Sequence, residues 1–388
     1  MELIKTEIAN ISEGVKRITG FVRYDDGYID EYWYEYPANF EISNTGNPWL
    51  VALLPMASTI NEDLVISLPV DQRLVDGANN IQRFWSDWKM GTNIIKIKAD
   101  NIAKVNKTLP DNSASFFSSG VDAFFTAYNK PRAKYKILIH GFDLSISKSE
   151  EFQMHSERIS RVVKELGQDI VIVRTNIRQT RWEKTRWQAI SHGAALASIG
   201  LLFENYFAEI FIPSSVSTYY QVGCWGSHPV TDPLFSTSRT SFIDDGDGLN
   251  RLDKVKFLAN YDIALKNLHV CIRGKDGTGQ DEVNCSHCEK CYRTMIALDL
   301  AGCLDKCVLF DKEKYNYSEI PNIYINDVGE NPEYEPMAKE ALRQNNHELA
   351  AAIYKAIRRS KLLIKLKPLE KMPLLWRIPY NMQENSIY

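Results

Sequence analysis

Four cysteines constrain this chain more than any other feature. Cys285, Cys288 and Cys291 stand in the run Asn284-Cys285-Ser286-His287-Cys288-Glu289-Lys290-Cys291, and Cys271 follows the apolar run Leu268-His269-Val270 upstream. Two overlapping C-x-x-C pairs plus one distant thiol have the spacing of a closed zinc site. Zinc takes four soft or borderline ligands in a tetrahedron, and thiolates on a tight turn supply them. Such a centre contributes folding energy rather than Lewis acidity, because it keeps no open position for substrate. With four thiols present, His287 is left outside the ligand set. Cys224, Cys303 and Cys307 fall outside the spacing and read as core residues. Seven cysteines, an odd number with four in metal spacing, do not read as a disulfide framework and point to a reducing cytoplasm.

Length and composition narrow the rest. A chain of 388 residues has room for two domains or one large domain with appendages, and 44% hydrophobic with 24% charged residues is an ordinary globular balance. A net charge of −3 gives no general electrostatic footprint for nucleic acid. No apolar run approaches membrane-spanning length, and Met1-Glu2-Leu3-Ile4-Lys5 lacks the apolar core of a signal peptide.

Periodicity divides the chain into three stretches. Residues 1–108 read as a small α+β unit. Its strands are Phe21-Val22-Arg23-Tyr24, Tyr32-Trp33-Tyr34-Glu35-Tyr36 and Ile94-Ile95-Lys96-Ile97-Lys98, and its helices begin at Trp49 and Ala78. Residues 104–113 read as a linker. In residues 109–310 short apolar runs alternate with helical stretches. The runs are Ala114–Phe117, Tyr135–Ile139, Asp169–Val173 and Glu209–Ile212, and the helices are Glu151–Gly167 and Trp187–Phe203. That alternation predicts an α/β fold, a parallel sheet covered by helices on both faces. Residues 311–388 read as a helical extension holding one strong helix, His347–Lys361, and an irregular, proline-containing tail.

The first strand of the predicted sheet runs into Ser118-Ser119-Gly120-Val121-Asp122-Ala123 and then a helix. Open α/β sheets bind ligands beyond the carboxyl ends of their strands. A Ser/Gly turn before a helix presents N–H groups and the positive helix end to an anion, and Asp122 is placed to orient a magnesium-bound pyrophosphate. The bland alternative is an ordinary strand-to-helix turn.

The hexapeptide resembles the pyrophosphatase loop of the N-type ATP pyrophosphatases, the PP-loop superfamily, whose usual form is Ser-Gly-Gly-x-Asp-Ser. It departs at Ser119, which replaces a glycine, and at Ala123, which replaces the last serine. The run Cys285-x-x-Cys288-x-x-Cys291-x-Arg293, with Ala297 and Ala301-Gly302, is similar to the C-terminal zinc motif of the 7-cyano-7-deazaguanine synthase family, and Cys271 matches that family's first zinc cysteine. The resemblance covers roughly residues 113–306. It implies a fold of the adenine nucleotide alpha-hydrolase type, with ATP, magnesium and zinc as cofactors. It also implies adenylation of a carboxylate with release of pyrophosphate, then attack by ammonia or an amine with release of AMP. Related enzymes with added N-terminal domains serve outside queuosine synthesis, including in phage-defence settings.

Further candidates lie at the other strand ends. His140, Gly141 and Asp143 follow the second strand, and Thr175, Asn176 and Arg178 follow the third; these are assigned to ribose, phosphate or the adenine edge, against the alternative of capping and loop roles. Beyond the fourth strand, Trp225-Gly226-Ser227-His228-Pro229-Val230-Thr231-Asp232 differs from the family's substrate loop. His228 and Asp232 are candidates for substrate contact or proton transfer, against a purely structural bracing of the turn. His192 reads as a core histidine inside an apolar helix, Asp244-Asp245-Gly246-Asp247 as a solvated turn, and the basic run Lys355, Arg358, Arg359, Lys361 as a solvated face.

The leading expectation is therefore an ATP-dependent carbon–nitrogen ligase with catalytic Asp122, His228 and Asp232. Its partners are a small carboxylate and ammonia or an amine. The N-terminal unit is expected to shape the pocket, bind a protein or macromolecular substrate, or mediate a homodimer. Two rivals stand beside it: an adenine-nucleotide sensor without turnover, and a PP-loop sulfur or amide transferase acting on tRNA or a sugar.

Overall fold

The computed structural model describes residues 1–103, 111–215, 224–271, 283–325 and 333–366. Most of the linker expected at 104–113 and the tail beyond Leu366 lie outside these residues. The chain forms two compact units, the first comprising Met1–Ser118, Phe125–Val216 and Val222–Asp247, the second Ser119–Phe124, Ser217–Gln221 and Gly248–Tyr388.

The first unit carries an α/β architecture on one mostly parallel sheet of ten strands. They are β1 (Glu2–Ser12), β2 (Val15–Arg23), β3 (Ile29–Pro37), β4 (Leu64–Asp71), β5 (Ile97–Ala103), β6 (Asn112–Phe116), β7 (Tyr135–His140), β8 (Asp169–Thr175), β9 (Phe207–Pro213) and β10 (Ser241–Asp245), in the order β10-β9-β6-β7-β8-β3-β2-β1-β4-β5. The strands β10, β9, β6, β7 and β8 are all parallel. Four of them are the predicted apolar runs. Residues 1–108 add their own five strands to this same sheet through an antiparallel junction, Tyr34↔Thr175 and Glu35↔Arg174, between β3 and β8.

Two helices cover the central face. α1 (Asn47–Ile60) is apolar on every side and buried from Asn47 to Ser58, as a helix inside a core must be. It packs on α5 (His192–Leu202), whose small residues allow close approach to the sheet. A Cβ on Gly200 would come within 2.7 Å of the Phe242 ring, and one on Gly20 within 2.4 Å of the Trp49 ring, so both contacts require glycine. The remaining helices of this unit are α2 (Gln72–Asp87), capped by Asp71, and α4 (Ser149–Glu165). α3 (Val121–Asn129) follows β6.

Three expectations are corrected here. Asp244 and Asp245 are the last residues of β10, not a solvated turn: Asp245 is buried, accepts from Asn129 Nδ2 at 2.8 Å and pairs with Lys130 at 3.3 Å. A strand with only Phe242 and Ile243 apolar gives too weak a run to read. His192 is half-buried at the first turn of α5, with its ring 4.9 Å from Trp187, because a π-helical turn, Trp187–Ser191, precedes α5. The strand expected at residues 94–98 lies three residues later, at β5.

The second unit holds α6 (Arg251–Leu258), α7 (Asp262–Asn267), α8 (Glu289–Leu300), α9 (Tyr334–Arg343) and α10 (His347–Leu366), the last being the predicted strong helix.

One core residue of the first unit has a pH signature. Lys136 on β7 is 0% exposed; its Nζ donates to Ser115 Oγ at 2.9 Å and to the Ala133 carbonyl at 2.7 Å. Burial lowers its ammonium from the usual 10.5 to about 7. Between those values the unfolded chain holds a proton that the folded chain has released, so this residue makes stability rise with pH, by at most about 1.4 kcal/mol per pH unit. Denaturant unfolding of the native chain and a Lys136→Met variant at pH 7, 8 and 9 is expected to show the difference shifting in favour of the native chain as pH rises. A difference independent of pH contradicts the assignment.

Candidate functional site

The cysteine lobe of the second unit brings four cysteine sulfurs together. The Sγ atoms of Cys271, Cys285, Cys288 and Cys291 all lie within 4.8 Å of one another, with Cys271–Cys285 at 3.4 Å, Cys285–Cys291 at 3.6 Å and Cys288–Cys271 at 3.7 Å. Tetrahedral zinc with bonds of about 2.3 Å needs sulfur separations of roughly 3.8 Å, so the donor set fits the ion in number, chemistry and spacing. Cys288 is the N-cap residue of α8 and Cys291 lies in its first turn. The Cys285 thiol falls to about 6: the Cys271 contact pushes it up, but hydrogen bonds from Cys288 and Cys291 more than offset this.

Asn284 ties the lobe together, a role its sequence position did not reveal. Its Oδ1 accepts from the Val270 and Cys271 N–H groups at 2.8 and 3.2 Å, and its Nδ2 donates to the carbonyls of Leu268 and Leu309 at 3.0 and 3.2 Å. His287 is not a ligand; its Nδ1 donates to the Cys285 carbonyl at 2.9 Å.

The Ser118–Ala123 loop leaves β6 and enters α3, as its composition predicts. Ser118 is exposed, Ser119 buried, Gly120 half-buried, and Val121 and Ala123 pack inward. Ser119 adopts φ 59°, the left-handed region that favours glycine, at the position where the resembled loop has one. Asp122 lies in the first turn of α3, and both its oxygens meet cations from α6: Oδ1 accepts from Lys254 Nζ at 2.8 Å, and Oδ2 lies 3.4 Å from Arg251. Burial pushes the Asp122 carboxyl up, but Arg251 and Lys254 outweigh it and hold it below its ordinary value. The network continues through the Arg251 N–H to Glu333 at 2.8 Å, Arg293 to Glu289 at 3.5 Å and Tyr334 to Glu289 at 2.9 Å. Lys254 and Arg251 were legible only as cations beside an acidic stretch. The available signal was the capping box Asn250-Arg251-Leu252-Asp253, which starts α6 and sets the two cations one turn apart on one face.

In the first unit, Ser118, His140 and Thr175 stand at the carboxyl edge of the parallel strands β6, β7 and β8. Several residues there already hold structural bonds. Asn176 accepts from the Trp33 N–H at 2.8 Å and donates to the Glu31 carbonyl at 2.7 Å. Arg178 donates to the Phe142 carbonyl at 2.6 Å and stacks on Trp187 at 4.5 Å. His140 bonds the Ser145 carbonyl at 2.9 Å and stacks on Phe152 at 4.0 Å. Thr175 is buried and accepts from the Ile177 N–H. Gly141 has φ 108°, and a Cβ there would strike the Thr175 carbonyl at 2.0 Å, so the turn after β7 demands glycine. Asp143 is exposed.

His228 and Asp232 belong to one buried turn of the first unit, joined through the backbone: the Asp232 N–H donates to the His228 carbonyl at 2.8 Å. The His228 ring is 1% exposed, accepts from the Val230 N–H at 2.9 Å and lies 5.1 Å from Trp88. Burial lowers it to about 4, so the ring is neutral at physiological pH. Asp232 is fully buried and accepts from Ser227 Oγ at 2.6 Å; burial and the neighbouring Asp244 carboxyl hold it well above the usual carboxylate range. Their side chains are not hydrogen-bonded to each other, and His228 Nε2 and Asp232 Oδ1 are buried without a hydrogen-bond partner.

No family model, no curated protein and no solved structure matches this chain.

Two measurements check these geometries. Elemental analysis is expected to give one zinc per chain, lost in Cys288→Ser, with a lowered melting temperature after chelation; a metal-free chain that melts unchanged rules the centre out. Replacing Ser119 by glycine removes a left-handed strain of about 1–2 kcal/mol at an entropic cost of about 0.5–1 kcal/mol. Thermal melts should therefore show a gain of at most about 1.5 kcal/mol, and a loss would show that the buried hydroxyl outweighs the strain.

Proposed function

We propose that this chain is an ATP-dependent ligase that adenylates a carboxylate and passes the acyl group to ammonia or an amine. The observation that carries the reading is the cationic pair Lys254 and Arg251 held on Asp122 at the start of α3, directly after the Ser118-Ser119-Gly120 turn. A carboxylate resists amines because oxide is a poor leaving group. Attack of its oxygen on the α-phosphorus of ATP expels pyrophosphate and leaves an acyl adenylate. The amine then attacks the acyl carbon, a proton leaves the nitrogen, and AMP departs. Pyrophosphate release needs fixed positive charge where negative charge develops. Lys254, Arg251 and the amino end of α3 supply it, and Asp122 holds the two cations in place. This assigns Asp122 a positioning role. Magnesium, when bound with ATP, spreads charge over the phosphates. With both Asp122 oxygens on cations, the residues present do not fit it as a metal ligand, and no step is assigned through it.

A second reading, nucleotide binding without turnover, is favoured by one specific arrangement: Asp122 is already neutralised by two cations, and Ala123 supplies no hydroxyl to the loop.

Incubation with ATP, magnesium and a panel of carboxylic acids plus ammonia is expected to yield AMP and pyrophosphate in equal amounts for at least one acid. Lys254→Ala should cut the rate by about tenfold or more while the chain keeps its fold by circular dichroism. Tight ATP binding with no AMP for any acid selects the second reading, and absence of both sinks the two together.

A further inference from the structure

One buried acid of the first unit has no use in the chemistry above. Asp232 opens a short helical turn, Asp232–Phe235, and is 0% exposed. Its Oδ2 accepts from Ser227 Oγ at 2.6 Å, whereas Oδ1 is buried without a hydrogen-bond partner. α5 closes over it: a Cβ on Gly193 would lie 2.4 Å from Asp232 Oδ1 and 2.6 Å from the Gly226 carbonyl, so the acid abuts backbone. From β10, the Asp244 carboxyl stands within hydrogen-bonding reach of the Asp232 carboxyl. Two carboxylates carry no donor between them, and one proton supplies it. Like charges this close, inside a protein, do not both ionise.

The groups around Asp232 supply no countercharge. Burial and Asp244 raise its carboxyl, the Ser227 hydroxyl and the His228 backbone oppose this, and none of these is a cation. On its own turn the His228 ring is neutral at physiological pH, with Nδ1 accepting from the Val230 N–H. On β10, Asp245 beside Asp244 is engaged with Lys130. On α5, the His192 ring lies against Trp187. On α2, which meets the turn at Gly77 and Leu234, Arg73 donates to the Thr237 carbonyl. The turn is otherwise tied to β10 through the Phe242 N–H, which donates to Ser236 Oγ at 3.0 Å.

We propose that Asp232 and Asp244 hold one proton between them, and that this proton is a latch fastening the 226–236 turn to β10; its loss drives two like charges together and releases the turn. The latch lies within the first unit and stands apart from the ligase reading.

Denaturant unfolding of the native chain and an Asp232→Asn variant from pH 5 to 9 tests it. The amide keeps the shape and does not ionise. An unfolded chain releases this proton above about pH 4, while the folded pair keeps it, so stability from this pair falls as pH rises. The native unfolding constant should therefore grow relative to that of the variant, by up to about tenfold per pH unit. Hydrogen-exchange protection factors over residues 226–236 and 241–245 should fall with pH in the native chain and hold steady in the variant. Carbon-13 in the aspartate carboxyls reads the proton on the native chain itself: one neutral-acid resonance is expected at pH 7, lost in Asp232→Asn and in Asp244→Asn. A stability ratio independent of pH, or aspartates all ionised at pH 7, overturns the shared proton. Equal loss of protection in native and variant chains overturns the latch.

Discussion

The antiparallel seam between β3 and β8 is the constraint on which the first unit depends. It is short, two residue pairs long, yet it joins an antiparallel ribbon to a parallel sheet whose β8 edge would otherwise be open. Side chains reinforce it. Glu35, buried at the seam, accepts from Arg17 and pairs with Arg174 at 3.1 Å across it. Asn176, one residue past β8, clamps both Glu31 and Trp33. Above the seam, Tyr34 shares a hydrogen bond with Ser198 of α5 at 3.1 Å, and the Trp182 indole donates to the Ala52 carbonyl at 2.6 Å. The Glu204 carboxylate, just past α5, collects donors from Ser43, Thr45 and Asn47 at the entry to α1. Leaving a buried group such as the Trp182 indole N–H without its acceptor would cost about 1–3 kcal/mol. The N-terminal segment is thus bound to the parallel strands by satisfied polar groups as well as by apolar packing.

Such a network was invisible in the sequence for a definite reason. Apolar runs announce β6 to β9 because those strands are buried on both faces, and period-two aromatic residues announce β2 and β3. The β1 segment, Glu2–Ser12, alternates charge and polarity along an exposed strand, and β4 carries Pro69, so neither has a readable run. That the two halves make one sheet follows from pairing between residues about 140 apart, which no local pattern encodes. The cysteine spacing was legible because metal geometry imposes short, fixed separations. Asp122 was legible as a loop residue; its partners, 129 and 132 positions away, were not.

Asp122 shows how structural and chemical roles converge on one side chain. Lys254 is 2% exposed at its side chain, so removing Asp122 would leave a buried ammonium without its closest anion. Breaking such a pair costs about 3–5 kcal/mol. Substituting Asp122 or Lys254 therefore changes stability, whatever else it changes. The same pairing offsets the repulsion between Lys254 and Arg251. The carboxylate thus holds Lys254 and Arg251 together at the start of α3.

The thiolate centre and this charge network share α8. Cys288 is the N-cap of that helix, Cys291 lies in its first turn, and Glu289 and Arg293 form an i,i+4 pair across its first two turns. A metal held by Cys271, Cys285, Cys288 and Cys291 fixes the start of α8, and so fixes the orientation of the Arg293–Glu289 pair and of Tyr334 bonded to it. Arg251 is tied to the same set through Glu333, the neighbour of Tyr334. The four-cysteine cluster and the cations beside the turn are thus linked through α8, the Tyr334 hydroxyl and the backbone N–H of Arg251.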